Sequence, residues 1–320
     1  MWLLSLTLSL LCLAPVAALA DNSGVAVREG DGKVRVEING QLLTEYIFKD
    51  APRPYCYPLI GPESLPMTRH WPMEQADAEE HDHKHHRSFW FAHGAMNGHD
   101  LWSEEPKSGR TKHLAFLKLE SGPRTGIIQS TNLWVTDEGA PVCTDERKLT
   151  FYSRSPERVF DFEITLFASH GDLILGDTKE GTMSLRLAET MRLKGKTGRG
   201  HIVMSTGVRD EETWGKRADW VDYYGPVNGV VVGAAMFDHP GNPRHPTWWH
   251  VRDYGLFAAN PFGLHDFEKK PAHTGDMLVP AGHSVTFRYR FILHEGDEKA
   301  GRVAEEYSRY SKDEEPLGQP

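Results

Sequence analysis

Apolar and polar residues alternate with a period of two through most of this chain. Residues 25–38 read VAVREGDGKVRVEI, two short runs around a Gly-Asp-Gly turn, and Asn39-Gly40 supplies a hairpin signal before a third run at residues 42–48. Similar runs follow at residues 113–119, 126–136, 148–153, 159–168, 182–187, 230–237, 247–258 and 284–294, each bounded by turn residues. Helical periodicity is almost absent between them, so the pattern predicts an all-β protein, a sandwich or barrel. The exception is residues 298–310, where Val303, Tyr307 and Tyr310 fall at spacings of four and three and make one apolar stripe, predicting a short C-terminal helix docked on the body. No linker or repeat interrupts the series. A single β domain over residues 21–312 is expected, large enough to need two big antiparallel sheets, with residues 313–320 as a disordered acidic tail.

The first 20 residues depart from this pattern. MWLLSLTLSLLCLAPVAALA is an apolar run ending in Ala18-Leu19-Ala20 and reads as a signal peptide with an A-x-A cleavage site, though no Lys or Arg precedes the run. A periplasmic or secreted location is expected, with no stable membrane insertion after cleavage, because no later segment is long and apolar enough to span a bilayer. Cys12 lies inside the apolar run, and only Cys56 and Cys143 remain beyond it. An exported protein permits a disulfide between them; two unpaired buried thiols fit the sequence equally well. The net charge of -9 argues against nucleic acid as a partner, since phosphate neutralisation needs a basic face.

Candidate chemistry concentrates in three places. Residues 81–99 read HDHKHHRSFWFAHGAMNGH and hold six of the 17 histidines. Treated as a strand, this stretch places His81, His83, His85 and Arg87 on one face and Asp82, Lys84 and His86 on the other. His83 and His85 could then share a divalent metal, the one cofactor the sequence suggests, although a zinc-type site needs three or four ligands. Residues 238–263 read DHPGNPRHPTWWHVRDYGLFAANPFG. Their prolines require a loop through Pro246, and a strand over 247–258 then carries Trp248, His250, Arg252 and Tyr254 on one face and Trp249, Val251 and Asp253 on the other. Trp249 is expected in the core and Trp248 at a site. Aromatic planes beside imidazole, guanidinium and amide groups suit a sugar ring. Two further segments, RPYCYP at 53–58 and TRHWP at 68–72, combine Arg and aromatics between prolines and read as rigid loops over a cleft, offering Arg53, Tyr55 and Arg69. No nucleophile elbow, phosphate-binding glycine loop or His-Glu-x-x-His helix is present in the sequence.

The segments RPYCYPLIGP, DHKHHRSFWFAHGAMNGHDLW, KEGTMSLRLAETM and DHPGNPRHPTWWHVRDYGLFAANPFG resemble, in order, the motifs of an exported bacterial family labelled "methane oxygenase PmoA-like". The label denotes no activity, because a membrane subunit of that oxygenase needs several apolar spans. The resemblance implies a large antiparallel super-sandwich like that of galactose mutarotases, and by analogy a sugar ligand. This chain has Lys84 where the family has proline, and Ser88 where it has glycine. The match carries over His83, His85, His86, Arg87, His93, His239, Asn242, His250 and Asn260. The expectation is therefore a carbohydrate-active enzyme acting on a small sugar, an oligosaccharide or a modified glycoside. His86 and His250 would be the acid–base pair, Arg87 would stabilise developing negative charge, and His93 would complete the catalytic group. Arg53, Tyr55, Arg69, His239, Asn242, Trp248 and Asn260 would bind substrate. A non-catalytic carbohydrate-binding protein and a His-ligated metalloenzyme are the alternatives. Paired carboxylates of an ordinary glycosidase are not evident.

Overall fold

A computed structural model describes residues 23–318; the expected signal peptide, with Cys12, lies outside the described residues. Two eight-stranded sheets make the body, and every strand pairing within them is antiparallel. The first runs β1 (Val25–Gly30), β2 (Lys33–Ile38), β3 (Gln41–Ile47), β4 (Tyr55–Leu59), β5 (Phe89–His93), β11 (Gly181–Arg186), β16 (Leu256–Asn260) and β15 (Trp248–Val251). The second runs β12 (His201–Met204), β13 (Trp220–Val227), β14 (Val230–Asp238), β18 (Ser284–Glu295), β9 (Arg158–Phe167), β8 (Pro141–Tyr152), β7 (Thr125–Val135) and β6 (Arg110–Glu120). A separate ribbon pairs β10 (Leu173–Leu175) with β17 (Met277–Val279), and two short helices, α1 (Leu264–Glu268) and α2 (Val303–Tyr310), complete the chain. The predicted all-β sandwich is what forms.

Local chemistry explains the predicted turns. Asn39 (φ 50°) and Gly40 (φ 76°) both sit in the left-handed region, as a two-residue hairpin loop requires, and they join β2 to β3. The predicted run at 247–258 is a hairpin, not one strand: β15 ends at Val251, and a turn through Gly255 (φ 90°) leads into β16. The C-terminal helix is shorter than its pattern, because Arg302 takes φ 51° and the helix begins at Val303. Val303 and Tyr310 are buried, and Tyr307 and Tyr310 pack on Phe237. Residues 313–318, expected as a disordered tail, contain no helix or strand; Arg290 donates to the Glu314 carbonyl and the Leu317 amide donates to Glu306.

The sheets face each other over an apolar core in which Phe89 of β5 packs edge-on against Phe160 and Phe162 of β9 and Phe291 of β18. One charged pair lies inside it. Asp145, fully buried, accepts from Asn132 (2.7 Å) and the Trp134 indole (2.6 Å) and pairs with buried Arg147. Cys56 on β4 and Cys143 on β8 are free, buried thiols, each pushed up by burial, that of Cys56 to about 12.

Candidate functional site: a histidine cleft on the outer face of the first sheet

Because strand side chains alternate, β5 sends Phe89 and Phe91 into the core and Trp90 and Ala92 to the other face. The register continues that outer row across four strands. Trp90 of β5 opposes Ser184 of β11, Ser184 opposes Ala258 of β16, and Ala258 opposes His250 of β15. Residues 81–88 lie against this row as a loop. The strand parity expected there fails: the chain turns at His83 (φ 44°) and Ser88 (φ 56°), and the His86 amide donates to the His83 carbonyl at 2.9 Å. The turn gathers His83, His85 and His86 instead of dividing them between two faces. Their ring centroids are 5.8 Å (His83–His85), 4.8 Å (His83–His86) and 4.4 Å (His85–His86) apart. His86 stacks on Trp90 at 5.3 Å, and His83 stacks on Tyr254 from the β15–β16 turn at 5.2 Å.

Buried arginines fix this loop. Arg69 donates to the carbonyls of Glu80, Asp82 and His83 and to Asp82 Oδ1 (2.5 Å). Arg186 of β11 reaches the same Oδ1 at 2.7 Å and donates to His86 Nδ1 at 3.1 Å. Arg53 holds the carbonyls of Trp102, Ser103 and His85, and Arg87 makes a two-pronged pair with Glu104, both contacts at 2.7 Å. Burial opposes charge on Asp82, but hydrogen bonds from His83 and Arg186 and the charge of Arg69 outweigh it and hold the carboxyl well below the usual range.

The result is a cleft of about 580 Å³ lined by His83, His85, Gly94, Asp100, Trp102, Ser103, Lys179, Glu180, His250, Arg252 and Tyr254. Its wall needs glycine at 94, since a Cβ there would lie 2.7 Å from the Glu180 Cβ. The 81–99 and 238–263 segments thus meet at one site.

Partners assign the imidazole tautomers. Lys179 presents a carbonyl to His250 Nδ1 at 2.6 Å, so that nitrogen carries the proton and Nε2 keeps a bare lone pair, buried with no partner among the described residues. For His86 the order reverses. A guanidinium only donates, so Nδ1 accepts and the buried Nε2–H is unpartnered. Burial lowers all three inner imidazoles. His85 falls to about 3 with the charges of Arg53 and His83 assisting, His250 falls to about 3, and His86 falls well below its ordinary value. They are neutral at pH 7, so burial denies His86 and His250 the protonated partner that the expected acid–base pair requires. Burial also raises the Tyr254 phenol to about 12 and keeps it protonated.

Several expected site residues serve elsewhere. Arg53, Arg69 and Arg87 spend their terminal guanidinium nitrogens on the protein itself and clamp the loop; none lines the cleft. Tyr55 is buried against Arg87. His93 lies behind the wall, donating from Nε2 to the Gly176 carbonyl at 2.9 Å. Trp248 is buried, its indole on Glu268 and Arg217 over its ring at 4.2 Å, whereas Trp249 is in the core as expected. Asn260 bridges the Thr178 carbonyl and the Phe262 amide, and Asn242 ties Asp238 to the Arg288 backbone. His239 pairs with Asp313 in a different cavity, of about 290 Å³. His83 spends Nδ1 on Asp82, and among the described residues no group of three or more His, Cys, Asp or Glu side chains is disposed to hold a metal ion. Lys179, Glu180 and Asp100 were not anticipated. Lys179 and Glu180 open the KEGTMSLRLAETM stretch, whose membership of the same motif series as the two histidine segments was the available signal.

A two-sheet antiparallel super-sandwich with a polar, histidine-lined cleft on one outer face is the class that fold and site define. The chain belongs to a family of unknown function, DUF6807, whose profile matches residues 33–308; the match does not carry the oxygenase label. No curated protein matches the chain by sequence. Among solved structures it is similar to a glycoside hydrolase family 97 enzyme from Pseudoalteromonas sp. strain K8 in complex with acarbose, with TM-score 0.34 and 9% identity, covering 84% of this chain and 33% of that one. It is also similar to a galactose mutarotase related enzyme from Lactobacillus acidophilus (TM-score 0.29, 8% identity, 85% and 97% covered). A galactose mutarotase-like protein from Lactobacillus casei ATCC 334 is a third (TM-score 0.21, 10% identity, 85% and 100% covered). The chain spans about a third of the length of the glycoside hydrolase. The fold assignment rests on the two sheets themselves.

Proposed function

We propose that this protein is a carbohydrate-active enzyme that binds a sugar or modified glycoside in the histidine cleft and moves a proton on it. The observation that carries this reading is His250. Its Nδ1–H is fixed by the Lys179 carbonyl, which leaves a bare lone pair on Nε2, buried in the wall of a cleft of sugar-ring size that His250 lines. His250 takes a proton from a substrate hydroxyl or C–H group. The Tyr254 hydroxyl, kept protonated by burial, donates one to the substrate oxygen where negative charge develops. His86 stands behind the cleft and supports the rings that line it, a change from its expected catalytic role. We take residues 1–20 as an export signal, which places this chemistry outside the cytoplasm.

The low basicity of the buried imidazoles favours a second reading, a non-catalytic sugar-binding protein in which the same nitrogens only accept and donate hydrogen bonds. One experiment separates the two. The full chain is incubated with a panel of mono- and oligosaccharides, and anomeric exchange, epimerisation and bond cleavage are followed by proton NMR. Turnover that falls about 10²- to 10⁴-fold in His250→Gln supports the enzyme. Sugar binding without turnover on any member of the panel supports the binding protein and overturns the enzymatic reading.

A further inference from the structure

Resting on the reading of this cleft as a sugar site, we infer that its ligand is an acidic sugar and that Arg252 receives the anionic group, a carboxylate or a sulfate ester. Arginines crowd this side of the molecule, and the protein consumes nearly all of them. Arg53 and Arg87 are paired with Glu104, Arg69 and Arg186 with Asp82, and Arg192 with Glu80 and Glu189. Arg252 is different. It follows β15, its guanidinium carbon lies 5.2 Å from the Tyr254 ring centroid and 5.9 Å from that of Trp214, and among the described residues no carboxylate lies within ion-pairing distance of it.

Its position matches that freedom. Arg252 lines both the histidine cleft and an adjoining cleft of about 400 Å³, so it stands at the junction of the two. Two aromatic rings flank the guanidinium within cation–π range, which limits the entropy lost when its fork of donors meets two oxygens. The carboxylates nearby already have partners. Asp100 accepts from the hydroxyls of Ser103 and Ser108, Glu180 faces Lys179 at 3.4 Å, and Asp253 faces Lys194 at 3.8 Å. Arg252 and Lys179 are the arginine and lysine that line the cleft, and Lys179 already faces Glu180 and Asp266. A neutral sugar would leave the Arg252 fork facing water. An oxyanion on the ring would complete it with two charge-assisted hydrogen bonds.

The test titrates the full chain with glucuronic and galacturonic acids, the 6-sulfates of glucose and galactose, and neutral glucose and galactose. Binding is read from the nitrogen-15 shifts of the imidazoles. The expected result is binding of at least one acidic class about tenfold or more tighter than its neutral parent, the scale of one charge-assisted fork. Preference for the uronic acids alone assigns a carboxylate, and preference for the sulfates alone assigns a sulfate ester. Arg252→Gln should bring the acidic sugar to the affinity of the neutral one, and Arg252→Lys should retain part of the difference; an unchanged thermal midpoint shows that each variant folds. Equal affinity for acidic and neutral sugars, or a preference that survives Arg252→Gln, overturns this inference and leaves the sugar site standing. Failure of every sugar to shift His83, His85 or His250 overturns both.

Discussion

Asp82 is the residue on which the histidine loop hangs, and Asp82→Asn should both destabilise the protein and disorder its cleft. One carboxylate oxygen accepts from Arg69 at 2.5 Å and from Arg186 at 2.7 Å, and both guanidinium side chains are 0% exposed. Among the described residues neither meets another carboxylate within ion-pairing distance. Asparagine keeps one acceptor but removes the charge that compensates two buried cations. Breaking a buried ion pair from one side costs about 3–5 kcal/mol. Asp82 is itself 29% exposed and Arg69 keeps three carbonyl partners, so the lower end, ~3 kcal/mol, is expected. At about 2.1 cal/mol/K per residue and roughly 300 folded residues, that lowers the thermal midpoint by about 5 °C. Calorimetry at pH 7 measures it directly. The pH dependence supplies a second check. The folded-state pKa of Asp82 is depressed, so its contribution is present above the unfolded value of about 3.9 and is lost as pH falls through the folded value. The gap between wild type and variant should therefore be constant above about pH 5 and narrow below about pH 4. A variant that melts within about 1 °C of wild type at pH 7 would refute the clamp, since even ~1 kcal/mol moves the midpoint further than that.

Two more perturbations test the body of the sandwich. Asp145→Ala leaves buried Arg147 unpaired and strips Trp134 and Asn132 of their acceptor; about 3–5 kcal/mol should be lost in chemical denaturation, and pairing Asp145→Leu with Arg147→Met should recover much of it. A single variant within about 1 kcal/mol of wild type would contradict this. Burial alone would lower fully buried His294, but Asp222, at 3.0 Å, wins and raises it. Its stabilisation is complete below the ordinary histidine value of about 6.5 and fades as pH rises through the folded value, so the advantage of wild type over His294→Gln should shrink as the pH rises above about 6.5. An NMR titration midpoint for His294 below about 6.5 would sink this assignment.

The sandwich was legible because strands buried on one face must alternate, as β2 and β9 do visibly, and because β14 reads as a continuous apolar run. Trp249 was legible for the same reason. Short β12, the longer β13, and β4, whose Pro58 made it look like loop, were not. At the site, the residue types and the two converging segments could be read, because clustered imidazoles are rare in solvated loops. Their arrangement could not. His83 and Ser88 take left-handed backbone conformations that no alternation rule anticipates, and these decide that three rings meet on one side. Arg53, Arg69 and Arg87 looked like substrate ligands because a clamp and a ligand use the same guanidinium. Only the distances to carbonyls and to Glu104 tell them apart. Glu180 and Lys179 were missed because each is an ordinary charged residue until the fold places it opposite His250.

A crystal structure of the full chain soaked with whichever sugar shifts its imidazole resonances tests the central claim most directly. The account predicts the sugar in the cleft between residues 81–88 and the β15–β16 hairpin, with a sugar hydroxyl donating to His250 Nε2. A sugar seated elsewhere, for instance in the cavity beside His239 and Arg290, with the histidine cleft holding none, would contradict it.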